Sequence, residues 1–213
     1  SDNGVRLFLQ IHDLAEDGRP WSYFRQTPYP ADCHYGVING RDYRILLDCG
    51  LRREGLHKLF NPVTPVGPLP PPAGVDLVLY PVRAIRRKNI GEAILLAQYF
   101  SSGCQLAITL PPNSELDIGP YRQWRDWVHR NQLNVIFEAS REHEWHALVS
   151  GARYLVSTSI SEGFGFAFLE PWTAGKWLLG RRLPTCDDFE TAGIQLEQLY
   201  ERLDIPGNWI DPG

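Results

Sequence analysis

The chain has 213 residues, 43% of them hydrophobic and 22% charged, with a formal net charge of −4. These are values of an ordinary globular protein, and the lack of a basic tail argues against nucleic acid as a partner. No apolar run approaches the ~20 residues of a membrane span, and no signal peptide is visible, so no transmembrane segment is expected. Four scattered cysteines (Cys33, Cys49, Cys104, Cys186) lack C-x-x-C spacing, which fits a reduced, cytoplasmic protein with structural thiols.

In chain order, Arg6–Ile11 reads as a buried strand ending at His12-Asp13. A loop-rich stretch follows, through Gly18-Arg19-Pro20 and Pro28-Tyr29-Pro30. Tyr35–Asn39 reads as a second strand, and Gly40–Cys49 as a short helix stopped by Gly50. Two strands do not close a parallel sheet alone, so residues 1–60 are expected to be the remnant of a larger domain. Residues 61–74 hold Pro62, Pro65, Pro68, Pro70, Pro71 and Pro72, which makes an extended, stiff linker.

Residues 75–213 alternate between strand and helix patterns. The expected strands are Asp76–Val82, Gln105–Leu110, Asn134–Phe137, Tyr154–Ser157 and Trp177–Gly180. The expected helices lie near Asn89–Phe100, Tyr121–Asn131 and His143–Ser150, after Gly165, and over Asp188–Leu203. This order predicts an α/β fold, a Rossmann-like parallel sheet with helices on both faces, preceded by an incomplete second α/β domain. Ligands of such sheets bind beyond the carboxyl ends of the strands.

Glu162-Gly163-Phe164-Gly165-Phe166-Ala167-Phe168-Leu169-Glu170 follows a strand-like run with a glycine turn and a helix start. That arrangement offers free backbone N–H groups to an anion. Two glutamates eight positions apart, on the order of 12 Å at most along a helix, suit a ligand with hydroxyl groups at both ends and phosphates between. A nucleotide-diphosphate sugar has that shape. Arg83, Arg86, Arg87 and Lys88 follow the first strand of this domain, placed to neutralise a diphosphate. Glu142-His143-Glu144-Trp145-His146 lacks the H-E-x-x-H spacing of a zinc site and reads as a polar helix face.

Arg83-x4-Lys88, the run Thr158–Gly165 and the Glu-x7-Glu frame together resemble the C-terminal half of a retaining GT-B glycosyltransferase of family GT4, over about residues 75 to 190. The resemblance implies a hexosyltransferase that takes a nucleotide sugar donor and a carbohydrate or other hydroxyl acceptor, and needs no metal or further cofactor. It implies that Arg83 and Lys88 hold the diphosphate and that Glu162 contacts the donor hexose. Ser159, Gly163, Phe164 and Gly165 would line the donor site, and Glu170 would grip the ribose. His12 resembles the histidine that the family places on the acceptor side of the cleft. Residues 1–60 would then be part of the acceptor-side domain and residues 75–213 the donor-binding domain. Val82 and Asn89 stand where the family commonly has glycine. The alternatives are an inactive nucleotide-sugar-binding module, or a sugar-nucleotide epimerase or glycosyl phosphorylase of the same fold.

Overall fold

The computed structural model describes residues 6–12, 32–67, 76–101 and 103–209. The stretches through Gly18 and Pro28, and prolines 68–72 of the expected linker, lie outside these residues. Two parallel sheets are present among them.

The first sheet has three strands in sequential order: β1 (Phe8–Ile11), β2 (His34–Val37) and β3 (Leu56–Lys58). The sequence showed two; β3 is three residues long, too short for its alternation to register. Helix α1 (Gly40–Asp48) connects β2 to β3. Asn39 caps it, its side-chain oxygen accepting from the Asp42 N–H at 2.7 Å, and Gly50 at φ +91° follows its end. Tyr35, Val37, Leu46, Leu51 and Leu56 form the small core of this unit.

The second sheet is built from β4 (Asp76–Arg83), β5 (Cys104–Leu110), β6 (Val135–Phe137), β7 (Ala152–Ser157), β8 (Leu178–Arg181) and β9 (Leu199–Tyr200). Their order across the sheet is β6-β5-β4-β7-β8-β9, all parallel. The direction of winding therefore reverses between β4 and β7. One face packs on α2 (Ile90–Ala97) and α3 (Glu115–Arg130), through Tyr80, Ile94, Ile108 and Tyr121. The other packs on α4 (Trp145–Gly151), α5 (Phe166–Thr173) and α6 (Cys186–Thr191), through Leu79, Leu148, Leu155 and Phe168. Both faces are thus buried, as continuous apolar strands require.

Three expectations need correction. The strand expected to be buried over Arg6–Ile11 is mostly exposed: β1 is the edge strand of the first sheet, and Leu7, Phe8 and Leu9 are exposed among the described residues. The helix expected over Asp188–Leu203 is instead the short α6, and the chain after it returns to the sheet as β9. Gly193 at φ +87° ends the helix, and Ile194, Leu196 and Leu199 turn inward against the core. Helix α3 begins at Glu115, before Pro120, rather than after it. The carbonyl that Pro120 leaves unpaired belongs to Leu116, which is 88% exposed and within reach of water.

The two sheets are tied together. Ile38, just after β2, and Val66, in the proline-rich stretch, both belong to the core of the second sheet. The Val66 N–H donates to Thr173 Oγ1 at 3.3 Å. The Gly40 N–H donates to Asp188 Oδ2 at 2.6 Å, where a Cβ at Gly40 would come within 2.7 Å of the carboxylate.

Candidate functional site

A cleft of about 560 Å³ opens where the carboxyl ends of the two sets of strands meet. From the first sheet it receives His12, Ile38 and Asn61, which follow β1, β2 and β3. From the second it receives Arg87 and Lys88 after β4 and Glu162–Ala167 after β7, with Glu170 on α5 and Trp145 at the start of α4. The crevice beside the point of winding reversal is where open α/β sheets bind ligands. Here it lies between the turns that follow β4 and β7.

Glu162 is 7% exposed and is held by two cations. Its Oε2 accepts from Arg87 Nη1 at 2.9 Å, and its Oε1 accepts from Lys88 Nζ. Burial acts to raise the Glu162 pKa, but the Lys88 charge and hydrogen bond, Ser159 and the Arg87 charge outweigh it and hold the carboxyl below its ordinary range. Burial pulls Lys88 downward from its ordinary value, against the Glu162 charge. The group is an anion with two cations on the wall of a cleft.

The turn carrying these cations is fixed from below. The hydroxyl of the fully buried Tyr80 donates to the Lys88 carbonyl and lies 3.2 Å from Ser159 Oγ, and the Thr158 N–H donates to it at 3.2 Å. Burial pushes the Tyr80 phenol up to about 12, so it stays protonated at neutral pH. Thr158 Oγ1 donates to the carbonyls of Lys88 and Asn89, at 3.2 and 2.9 Å. Asn89 itself has φ 49° and ψ 51°, a left-handed conformation that glycine and asparagine adopt most readily. That explains why asparagine stands where the resembled family has glycine.

On the opposite wall, Gly165 at φ +97° starts α5 with no side-chain cap. The Phe168 N–H donates to the Gly165 carbonyl at 2.9 Å, and the N–H groups of Phe166 and Ala167 ahead of it have no partner among the described residues and can face an anion. The Phe164 ring is turned inward, 5.0 Å from Phe166, 5.6 Å from Phe189 and 6.3 Å from Phe60 of the first unit. It anchors the glycine turn and leaves backbone to line the cleft. Glu170 is half-buried, and no side chain among the described residues hydrogen-bonds its carboxylate. Burial pushes its pKa up.

Lys88, Glu162, Gly163, Phe164, Gly165, Glu170 and His12 thus come together at one cleft. Ser159 is fully buried behind it, against Tyr80. Arg83 is not among the lining residues; its Nη1 donates to the Pro111 carbonyl at 3.0 Å, beside β5. Arg87 and Trp145 line the cleft without having been singled out by the sequence. Arg87 was one of four neighbouring cations, and a strand that ends at Arg83 gives no sign of which of them turns inward. Among the described residues no group of three His, Cys, Asp or Glu side chains could hold a metal ion, and no helix is long and apolar enough to cross a membrane.

No family model matches the chain. It is similar to mannosylglucosyl-3-phosphoglycerate synthase of Petrotoga mobilis, with 26% identity over 230 residues that cover 93% of this chain and 45% of that protein. Among solved structures it is similar to HepE of Anabaena in complex with UDP-glucose, with 15% identity and a TM-score of 0.67 over 86% of this chain and 55% of that one. Sucrose-phosphate synthase of Thermosynechococcus elongatus is similar too, with 22% identity and a TM-score of 0.61 over 83% of this chain and 50% of that one. The chain spans about half the length of these proteins. Its fold is that of the GT-B glycosyltransferases, parallel sheets flanked by helices.

Proposed function

We propose that the chain is the donor-binding part, with a portion of the acceptor side, of a retaining glycosyltransferase of family GT4. It moves a hexosyl group from a nucleotide-diphosphate sugar to an acceptor hydroxyl, without a metal ion. The observation that carries this reading is the cleft itself. At one switch point it joins two cations, the N-terminus of α5 and a half-buried carboxylate to which no side chain among the described residues hydrogen-bonds. Similarity to a structure solved with UDP-glucose, and to a mannosylglucosyl-3-phosphoglycerate synthase, supports it.

In this reading residues 75–213 bind the donor, residues 1–60 belong to the acceptor side, and residues 61–74 connect them. Lys88 and the N–H groups around Gly163, Phe164 and Gly165 face the diphosphate. Ser159 holds the donor-binding loop in place from behind. Glu162 meets the hexose, and Glu170 accepts from the ribose hydroxyls, which supply hydrogen bonds that no described side chain gives its carboxylate. His12 orients the acceptor or the transferred sugar. The resemblance alone points to Arg83 at the diphosphate; its guanidinium donates to the Pro111 carbonyl and does not line the cleft, so it is given no role there.

The bond between the anomeric carbon and the diphosphate breaks, and a bond from that carbon to the acceptor oxygen forms on the same face. The acceptor proton passes to the departing phosphate oxygen. Charge grows on that phosphate as it leaves, and Lys88 with the helix N-terminus stabilises it in place, with no reorganisation at the moment of reaction. Orientation of both substrates supplies the rest of the rate.

Release of nucleoside diphosphate from UDP-glucose, GDP-mannose and ADP-glucose in the presence of EDTA tests this. Release from one of them, abolished in Lys88→Ala, is expected. Absence of release from all three, with or without acceptor sugars, would contradict the reading.

A further inference from the structure

We infer that Arg87, rather than Arg83, is the second cation of the diphosphate site, while Arg83 fastens the end of β5. The inference rests on the donor-site reading above. Arg83 ends β4 and Arg87 lies four positions further on, but their guanidinium groups part. Arg83 turns sideways along the sheet to the Pro111 carbonyl and does not reach the cleft. Arg87 turns into it.

The Arg87 guanidinium is already positioned. Its Nη1 donates to the Ser161 carbonyl at 3.0 Å and to Glu162 Oε2 at 2.9 Å, and its backbone carbonyl accepts from the Ile160 N–H at 2.9 Å. One edge of the fork is therefore fixed to the turn after β7, next to Glu162. The other donors, on Nε and Nη2, have no protein partner among the described residues. Its side chain is 23% exposed, so the charge is partly shielded from water and able to act on a ligand. A guanidinium with one edge anchored and one edge free is preorganised to hold two phosphate oxygens at once. Lys88, beside it, adds a compact charge. The two cations share Glu162, which keeps them from repelling each other while the cleft is empty and holds both in position.

The test is calorimetric titration of wild type, Arg87→Ala, Arg87→Lys and Arg83→Ala with UDP, GDP and ADP, and with the matching monophosphates, in EDTA. For the nucleotide that wild type binds, Arg87→Ala should lower diphosphate affinity on the order of 10- to 100-fold and monophosphate affinity much less. Arg87→Lys should recover part of the loss, and Arg83→Ala should stay within about twofold of wild type for both ligands, by the same measure of a charged hydrogen bond. Thermal melts of each variant separate unfolding from lost contact, because unfolding weakens both ligands alike. Diphosphate affinity unchanged in Arg87→Ala, or reduced more in Arg83→Ala, would overturn the assignment while leaving the donor site intact. If wild type binds none of the three nucleotides, the donor-site reading fails and the assignment with it.

Discussion

The side-chain amide of Asn39 donates to the carbonyl of Gly163 at 2.7 Å, joining the end of β2 to the glycine turn across 124 positions of sequence. The same side chain caps α1, accepting from the Asp42 N–H at 2.7 Å and donating to Asp42 Oδ2 at 2.9 Å. Asn39 is 1% exposed and Asp42 fully buried. One buried amide therefore sets a helix start in the first unit and the position of a turn that lines the cleft.

Asn39→Ala should destabilise the protein by about 2–3 kcal/mol, since it removes a cap and leaves buried polar groups unsatisfied. Urea unfolding would measure this. Nucleotide affinity should fall as well, because the Gly163 carbonyl loses its anchor. A loss below ~0.5 kcal/mol would show that the link carries no weight.

Glu162 gives a pH signature. Its folded pKa lies below the ordinary carboxylate value, so the ionised form favours folding. That contribution is present above the unfolded value of about 4.3 and is lost as pH falls through the folded one. Wild type should therefore lose stability on acidification more steeply than Glu162→Gln, and their unfolding curves should converge at low pH. At pH 7 the variant should be about 2–4 kcal/mol less stable, because Lys88 and Arg87 lose their shared anion. Parallel stability profiles for the two proteins from pH 3 to pH 7 would contradict this.

Glu170 should behave in the opposite sense. Burial raises its folded pKa, so its ionised form opposes folding, and the contribution that favours folding is lost as pH rises through that value. Glu170→Gln should melt higher than wild type at pH 7, yet bind nucleotide roughly tenfold more weakly, through loss of charged hydrogen bonds to the ribose. Scanning calorimetry paired with titration reads both quantities. A variant that melts higher with unchanged affinity would remove the ribose role.

At Asn89 the left-handed backbone is the constraint. Asn89→Gly should cost less than about 1 kcal/mol, since the bond from its amide to Glu92 at 2.7 Å is lost but φ is free. Asn89→Val should cost roughly 2 kcal/mol or more, because a β-branched residue resists that region. Equal melting temperatures for the two variants would contradict this.

Much of the second sheet was legible in the sequence, because fully buried parallel strands such as β4 and β5 are continuous apolar runs between helix patterns. The glycine turn at Gly163–Gly165, the two glutamates and Lys88 were legible for a related reason, since they lie within short local motifs. What was not legible depends on long-range contact. The end of α6 follows from Gly193 and from Ile194 turning inward, which periodicity cannot separate from a longer amphipathic helix. The inward turn of Arg87 is set by Ser161 and Glu162, over seventy positions away. The span of β3 is decided by pairing with β2 rather than by its three residues.

The most direct test of the donor site is calorimetric titration of the wild-type chain with UDP, GDP and ADP, first in EDTA and then with magnesium. One of the three should bind in EDTA, magnesium should leave its affinity unchanged, and Lys88→Ala and Glu170→Gln should each weaken it. Binding of none, or binding that both variants retain in full, would contradict the donor-site reading.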